Sequence, residues 1–418
     1  MEQMSFLEEN DALDTLEFTP TRAAGLKRLE AFIPYSAGAY ASKRNFDFGP
    51  NQRSNISCLS PWVRHRLVSE TEILKETLKQ HSLRSAEKFI QEVYWRAYFK
   101  GWLEQKPDVW FWYKKDLKSV IRQLEKDGRL NQRYEEAVSA QTGIDAFDFW
   151  ARELVETGYL HNHARMWFAS IWVFTLQLPW ELGADFFYRH LLDGDPASNT
   201  CSWRWVSGLH TKGKNYAARA SNIAKFTDGR FTGHMGLASD PLPLTEEREP
   251  RLVPAPTGDK HEGEDFALLI TEEDGLPETL PIHSKPDQVI GLLATERRSP
   301  LEIGQPAREF AKGAMADALQ RAQTVFECPA DLLDGADWSQ SLLEYAQANS
   351  VKTIVTAYAP VGPVASALRE AKNILAENDI RLLQVMRAHD VSSWPHATRG
   401  FFKLKKQIPK LIESLDNS

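Results

Sequence analysis

Cysteine is scarce in this chain of 418 residues: Cys58, Cys201 and Cys328 lie far apart, and none belongs to a CxxC pair. That usage excludes a disulfide framework, a structural zinc site and a four-cysteine iron–sulfur cluster. The amino-terminal stretch is acidic and lacks the basic and apolar regions of a signal peptide. Long apolar runs are missing as well. The most apolar stretch, 166–180, is too short to span a bilayer and contains Pro179, so it reads as a buried helix. There is no GxGxxG and no Walker lysine, which removes support for an independent nucleotide site. A cytoplasmic protein without membrane contact is the expectation.

The length is too great for one core and suits two or three domains. Charge divides unevenly along it. Residues 1–236 carry 31 Lys and Arg against 29 Asp and Glu, whereas the remainder carries 19 against 28. Any contact with nucleic acid is expected on the first part, through a local patch.

Two polar clusters stand out, GYLHNHARM at 158–166 and LLDGDPASNTCSWRW at 191–205, joined by the apolar run 167–178. Polar groups at core positions cost free energy unless something satisfies them. A buried polar ligand is one reading, and a helical core with satisfied polar residues is the other. Further signals precede them. Ser60 followed by Pro61 reads as an N-cap with proline at the first helical position, a place where an anion can bind. Ser69 and Glu72 have capping-box spacing. In the aromatic helix 86–103, Glu92, Trp95 and Arg96 share one face, as a base-stacking pocket or as an ordinary amphipathic border. Residues 107–141 read as a surface connection with partial helices, and Asp145 as the cap of a helix 146–157 that ends at Gly158. Residues 1–236 therefore read as an all-α domain.

Proline-rich residues 237–262 read as an extended linker. Residues 263–418 then alternate apolar runs at 266–271, 289–293, 324–327, 353–356 and 380–385 with helical patterns at 307–321, 338–349 and 364–377. This predicts a doubly wound parallel sheet, giving a two-domain α plus α/β fold.

Taken in order, Tyr40 and Arg44, SCLSP, Glu92 with Trp95–Arg96, and the two polar motifs resemble the flavin-binding domain of the photolyase/cryptochrome family, from about Ala37 to Phe231. The resemblance implies FAD, with Tyr40, Ser57, Leu59 and Ser60 at its phosphates and ribityl chain. It places Phe89, Arg96, Asn162, Arg165, Asp193, Asp195 and Asn199 around the flavin and its sugars, Arg165 and Asp193 as an ion pair and Asn199 facing N5. Trp203 and Trp180 match the inner indoles of an electron-transfer chain. The outermost indole is absent around 125–130, where Tyr134, Trp110, Trp112, Trp167 or Trp172 would substitute. Arg44, Glu92, Trp95, Met166 and Trp205 match the lesion pocket of cyclobutane-dimer photolyases, which implies damaged DNA as partner and a monomeric enzyme.

Departures point elsewhere. His163 stands where an arginine is usual, and Phe89 where many relatives have tryptophan. Met166 occupies a position that is typically histidine in (6–4) photolyases, which counts against that lesion. A cryptochrome-like photoreceptor and (6–4) repair are the alternatives. In the second domain, LLITEEDGL and the closing WPHATRGFFKLKKQIPKLI resemble the entry and exit of the family's antenna domain, which would here follow the flavin domain; a separate flavodoxin-like module is the other reading. The resemblance leaves the second chromophore unidentified.

Overall fold

The computed structural model describes Leu13, residues 17–263 and residues 265–417. Its first half is helical: α1 Arg22–Phe32, α2 Gly38–Lys43, α3 Ser60–Arg64, α4 Glu70–Gln80, α5 Glu87–Glu104, α6 Asp108–Leu124, α7 Gly128–Val138, α8 Asp145–Thr157, α9 Asn162–Ser170, α10 Trp180–His190, α11 Trp203–Ser207 and α12 Ala220–Phe226. Local chemistry sets several ends. Ser69 accepts from the Glu72 N–H while Glu72 bonds back, the reciprocal cap that starts α4. Gly158 ends α8 at φ 68, a left-handed turn that costs glycine nothing. Two π-helical turns, Ile171–Thr175 and Pro196–Cys201, widen the backbone on either side of α10.

Three expectations change. Residues 107–141 are not a surface connection: α6 and α7 bury Trp110, Tyr113, Leu117, Leu130 and Tyr134 in the main core. Their apolar residues recur at helical spacing, which the charged intervening positions mask. Leu59, not Ser60, precedes α3, and no side chain caps it. Ile144, not Asp145, precedes α8.

The second half is a five-stranded parallel sheet, β1 Ala267–Thr271, β2 Gln288–Leu292, β3 Ala330–Leu332, β4 Thr353–Ala357 and β5 Arg381–Val385, in the order β3-β2-β1-β4-β5. Leu269 pairs with Ile290 in β2 and with Thr356 in β4. Helices α13 Gln305–Phe326, α14 Trp338–Ala348 and α15 Pro363–Glu377 connect the strands. The strand expected at 324–327 is wrong. Helix α13 runs through it to Phe326 and ends at Glu327 with φ 59, and β3 follows. After β5 the chain forms α16 Ala388–Ser393, α17 Phe402–Lys405 and α18 Ile408–Glu413, packed on the helical half. Among the described residues no helix is long and apolar enough to cross a membrane.

The halves meet through buried charge. Glu273, in the turn after β1, lies 2.8 Å from Arg64 and 3.3 Å from Lys100. Arg66 lies 2.9 Å from Asp390. In such sheets ligands favour the crevice beyond the carboxyl ends of the central strands. Here Glu104 of α5 fills that place, accepting from the Tyr358 hydroxyl at 2.8 Å and from the Val361 N–H after β4.

Candidate flavin and substrate site

The polar motifs converge where the amino end of α9 meets the turn before Pro196. Arg165 Nη1 donates to Asp193 Oδ2 at 2.9 Å and to Asn199 Oδ1 at 3.0 Å, and Arg165 Nε donates to the Leu160 carbonyl. Asn199 Nδ2 in turn donates to the Asp193 carbonyl. Arg165 is thus locked as one unit with two residues, Asp193 and Asn199, from a segment about thirty positions on. A second unit lies beside it. Asp195 caps the Pro196–Cys201 turn by accepting from the Ala197 and Ser198 N–H groups. It also lies 3.0 Å from Lys100 and 3.5 Å from Arg96. Burial alone raises its pKa, but Lys100, Arg96 and Arg64 hold the carboxyl far below the usual range. Glu70 is held down in the same way by Arg66 and Arg96.

These units wall a cavity of about 290 Å³ that is also lined by Tyr40, Ser57, Leu59, Ser60, Phe89 and Asn162. Phe89 packs edge-on against Tyr40 at 5.3 Å. At five residues α3 contributes little dipole, so the anion site expected at its start reduces to the serines and backbone beside the cavity. A neighbouring cavity of about 280 Å³ is lined by Met166, Trp203 and Trp205. Glu92, Trp95, Asn162, Arg165 and Asn199 border both, so the two spaces share a wall.

Arg44 and His163 also line the first cavity. Arg44 Nε stands 4.0 Å from Glu92 Oε1. Burial raises the Glu92 pKa, only partly offset by Arg44. His163 stacks on Trp167 at 4.7 Å and on Phe226 at 5.4 Å. Burial lowers its pKa to about 4, and that of neighbouring His161 to about 3.

Asp195 and Trp180 border neither cavity. Asp195 acts through Arg96 and Lys100, while Trp180 lies 5.8 Å from Tyr113. Trp203 meets Trp172 edge-on at 6.2 Å, and Trp172 meets Tyr134 at 6.2 Å. Gly183 permits this approach, because a Cβ there would come within 2.4 Å of Trp203. Sequence reasoning missed Glu70, Lys100 and Tyr159. The charges are visible in sequence, but their pairing spans helices, and Tyr159 reads as core.

The donor set suits a large polar heterocycle with phosphates. Asp193 Oδ1 and His161 Nε2 are buried without a partner among the described residues. Orphaned buried polar atoms of this kind are rare unless a ligand or water completes them; Asp193 Oδ1 can accept from FAD, and His161 Nε2, whose partner nitrogen Nδ1 accepts from the His163 N–H, can donate to it. This helical unit is a flavin-binding domain. Residues 89–230 match the family model of the FAD binding domain of DNA photolyase. The deoxyribodipyrimidine photo-lyase of Alkalihalophilus pseudofirmus is 29% identical over 195 residues, 46% of this chain and 38% of that protein. Cryptochrome DASH of Gloeobacter violaceus is 29% identical over 260 residues, 58% of this chain and 49% of its own length. A bacterial class III photolyase from Agrobacterium tumefaciens overlays 50% of this chain and 43% of its own, at 24% identity and a TM-score of 0.41. The matched stretch thus spans less than half of each of these relatives. Over its helical part the chain is thus similar to proteins of the photolyase/cryptochrome family, and the matched domain is one that binds FAD.

Proposed function

We propose that this protein splits cyclobutane pyrimidine dimers in DNA under blue light. The observation that carries this reading is the shared wall: Glu92 and Trp95 border the same continuous space as Arg165 and Asn199. Bound, reduced and excited, FAD supplies one electron that opens the cyclobutane bonds and is then returned, so the reaction is redox-neutral. The chain's own residues do the rest. A dimer, whose stacking is already damaged, leaves the duplex at reduced cost. Trp95 offers it a stacking surface. Glu92, whose pKa burial raises, offers a carboxyl for hydrogen bonding to a pyrimidine edge. Arg44 steadies negative charge, and Met166 and Trp205 keep water from that end of the cavity. Residues 1–236 are read as the flavin domain and 263–418 as an antenna-like domain placed after it, with 237–262 joining them.

A photoreceptor without repair is favoured by His163, which is stacked and uncharged at neutral pH where dimer-splitting relatives carry a cation. Repair of (6–4) products is the weaker alternative, since neither His161 nor His163 holds a proton to give at neutral pH. Blue-light illumination of reduced, FAD-loaded protein with oligonucleotides carrying each lesion separates the three. Loss of cyclobutane dimer alone is expected. No loss, where a control enzyme repairs, would leave the photoreceptor reading.

A further inference from the structure

Helix α5 carries Trp95 on the wall of both cavities. The other side of that indole is occupied by a residue from the far end of the chain. The Phe401 ring lies parallel to it, with centroids 3.8 Å apart and planes 12° apart. Phe401 is buried, 4% exposed, and borders neither cavity. It therefore backs the indole from outside both cavities, whereas the other nearby stacked ring, Phe99 at 5.8 Å, itself lines both.

The approach is built in along α5. Gly101 has no Cβ, and one placed there would lie 2.8 Å from Trp394, so the glycine lets the returning segment touch the helix backbone. Gln105 Nε2 donates to the Trp394 carbonyl at 2.8 Å, and Lys106 Nζ donates to the Thr398 carbonyl at 2.8 Å. Beyond Phe401, Lys405 pairs with Glu87 at 3.1 Å near the start of α5. The segment is thus pinned on both sides of Phe401. With a ring in van der Waals contact behind it, the indole cannot turn about its side-chain torsions without a clash.

We propose that Phe401 is a positioning residue for substrate: it fixes the plane of Trp95 so that the opposite face is presented flat to an extruded base. The carboxy-terminal segment that follows the α/β domain then completes a pocket otherwise built by the helical domain. The proposal rests on the repair reading for the identity of the base, but the contact itself does not.

Full-length FAD-loaded protein is compared as wild type, Phe401→Leu, Phe401→Tyr and Gly101→Ala, with a duplex carrying one thymine dimer and with the undamaged duplex. Phe401→Leu should raise KM for the dimer about three- to tenfold, the range an aromatic pair is worth. kcat, flavin content and affinity for undamaged DNA should not change. Phe401→Tyr should restore KM. Gly101→Ala, which lifts the segment while leaving both rings intact, should shift KM in the same direction and covers the case in which Phe401→Leu does not fold. An unchanged KM in the variants that fold overturns the proposal. So does an equal loss of undamaged-DNA affinity or of flavin, which marks general packing. If wild type ignores the dimer, the repair reading falls on its own. Crystal structures of wild type and variant then decide: a turned Trp95 indole supports the proposal and an unmoved one overturns it.

Discussion

The two walls of the cavity are held in opposite ways. On the cofactor side, Asp195 is bracketed by Lys100 at 3.0 Å and Arg96 at 3.5 Å, and Asp193 by Arg165 at 2.9 Å. On the substrate side, Glu92 faces Arg44 at 4.0 Å, outside hydrogen-bond reach, and Trp95 is held by an apolar ring. Buried paired charge fixes geometry at a high desolvation cost, whereas a loosely paired carboxyl keeps its bonding capacity for a ligand. Under the proposed function, the cofactor wall is preorganised and the substrate wall is left to be completed.

Breaking the cofactor wall should have the largest effect. Lys100→Met removes a cation from both Asp195 and Glu273, which keep Arg96 and Arg64, so the loss should fall below about 3–5 kcal/mol, the cost of a fully stranded buried charge. Denaturant melts should show that loss, together with reduced flavin content. A variant that keeps full stability would mean the network is dispensable.

Acid should act where the walls meet. His161 and His163 have pKa values lowered to about 3 and about 4, below the ordinary 6.5. Between those values the unfolded chain binds protons that the folded one does not. Stability is then full above pH 6.5 and is lost as pH falls towards 4. The midpoint temperature should drop over that window, and the double variant His161→Asn, His163→Asn should flatten the slope. An equally steep slope in that variant would place the acid-sensitive groups elsewhere.

Substrate-wall changes should spare the cofactor. Glu92→Ala is expected to keep FAD and weaken dimer binding about tenfold, as for loss of one hydrogen bond to a buried group. Loss of flavin instead would contradict the division into two walls. Ser69→Ala, which lines neither cavity, should cost about 1 kcal/mol by removing the cap of α4, with a smaller effect on cofactor and substrate binding than either wall variant.

The sequence carried much of this, unevenly. GYLHNHARM and the motif around Asp193 lie on short contiguous segments, so their residues arrive together once α9 and the Pro196–Cys201 turn form. The five-stranded α/β half was legible from its apolar runs, except at 324–327. There Val325 and Phe326 continue a helix, and the short edge strand β3, at 330–332, carries little apolar signal. Residues 107–141 were misjudged because charge on exposed faces hides the buried stripe of α6 and α7. The ion pairs across the two halves, and the stack of Phe401 on Trp95, join positions hundreds of residues apart. No local pattern encodes them.

The most direct test is an absorption titration of oxidised, FAD-loaded protein with a short duplex carrying one cyclobutane thymine dimer. If the two walls enclose one space, the dimer should perturb the flavin bands saturably, undamaged duplex should not, and Glu92→Ala should need about tenfold more dimer for the same change. A flavin spectrum blind to the dimer while binding is detected independently would contradict the shared site.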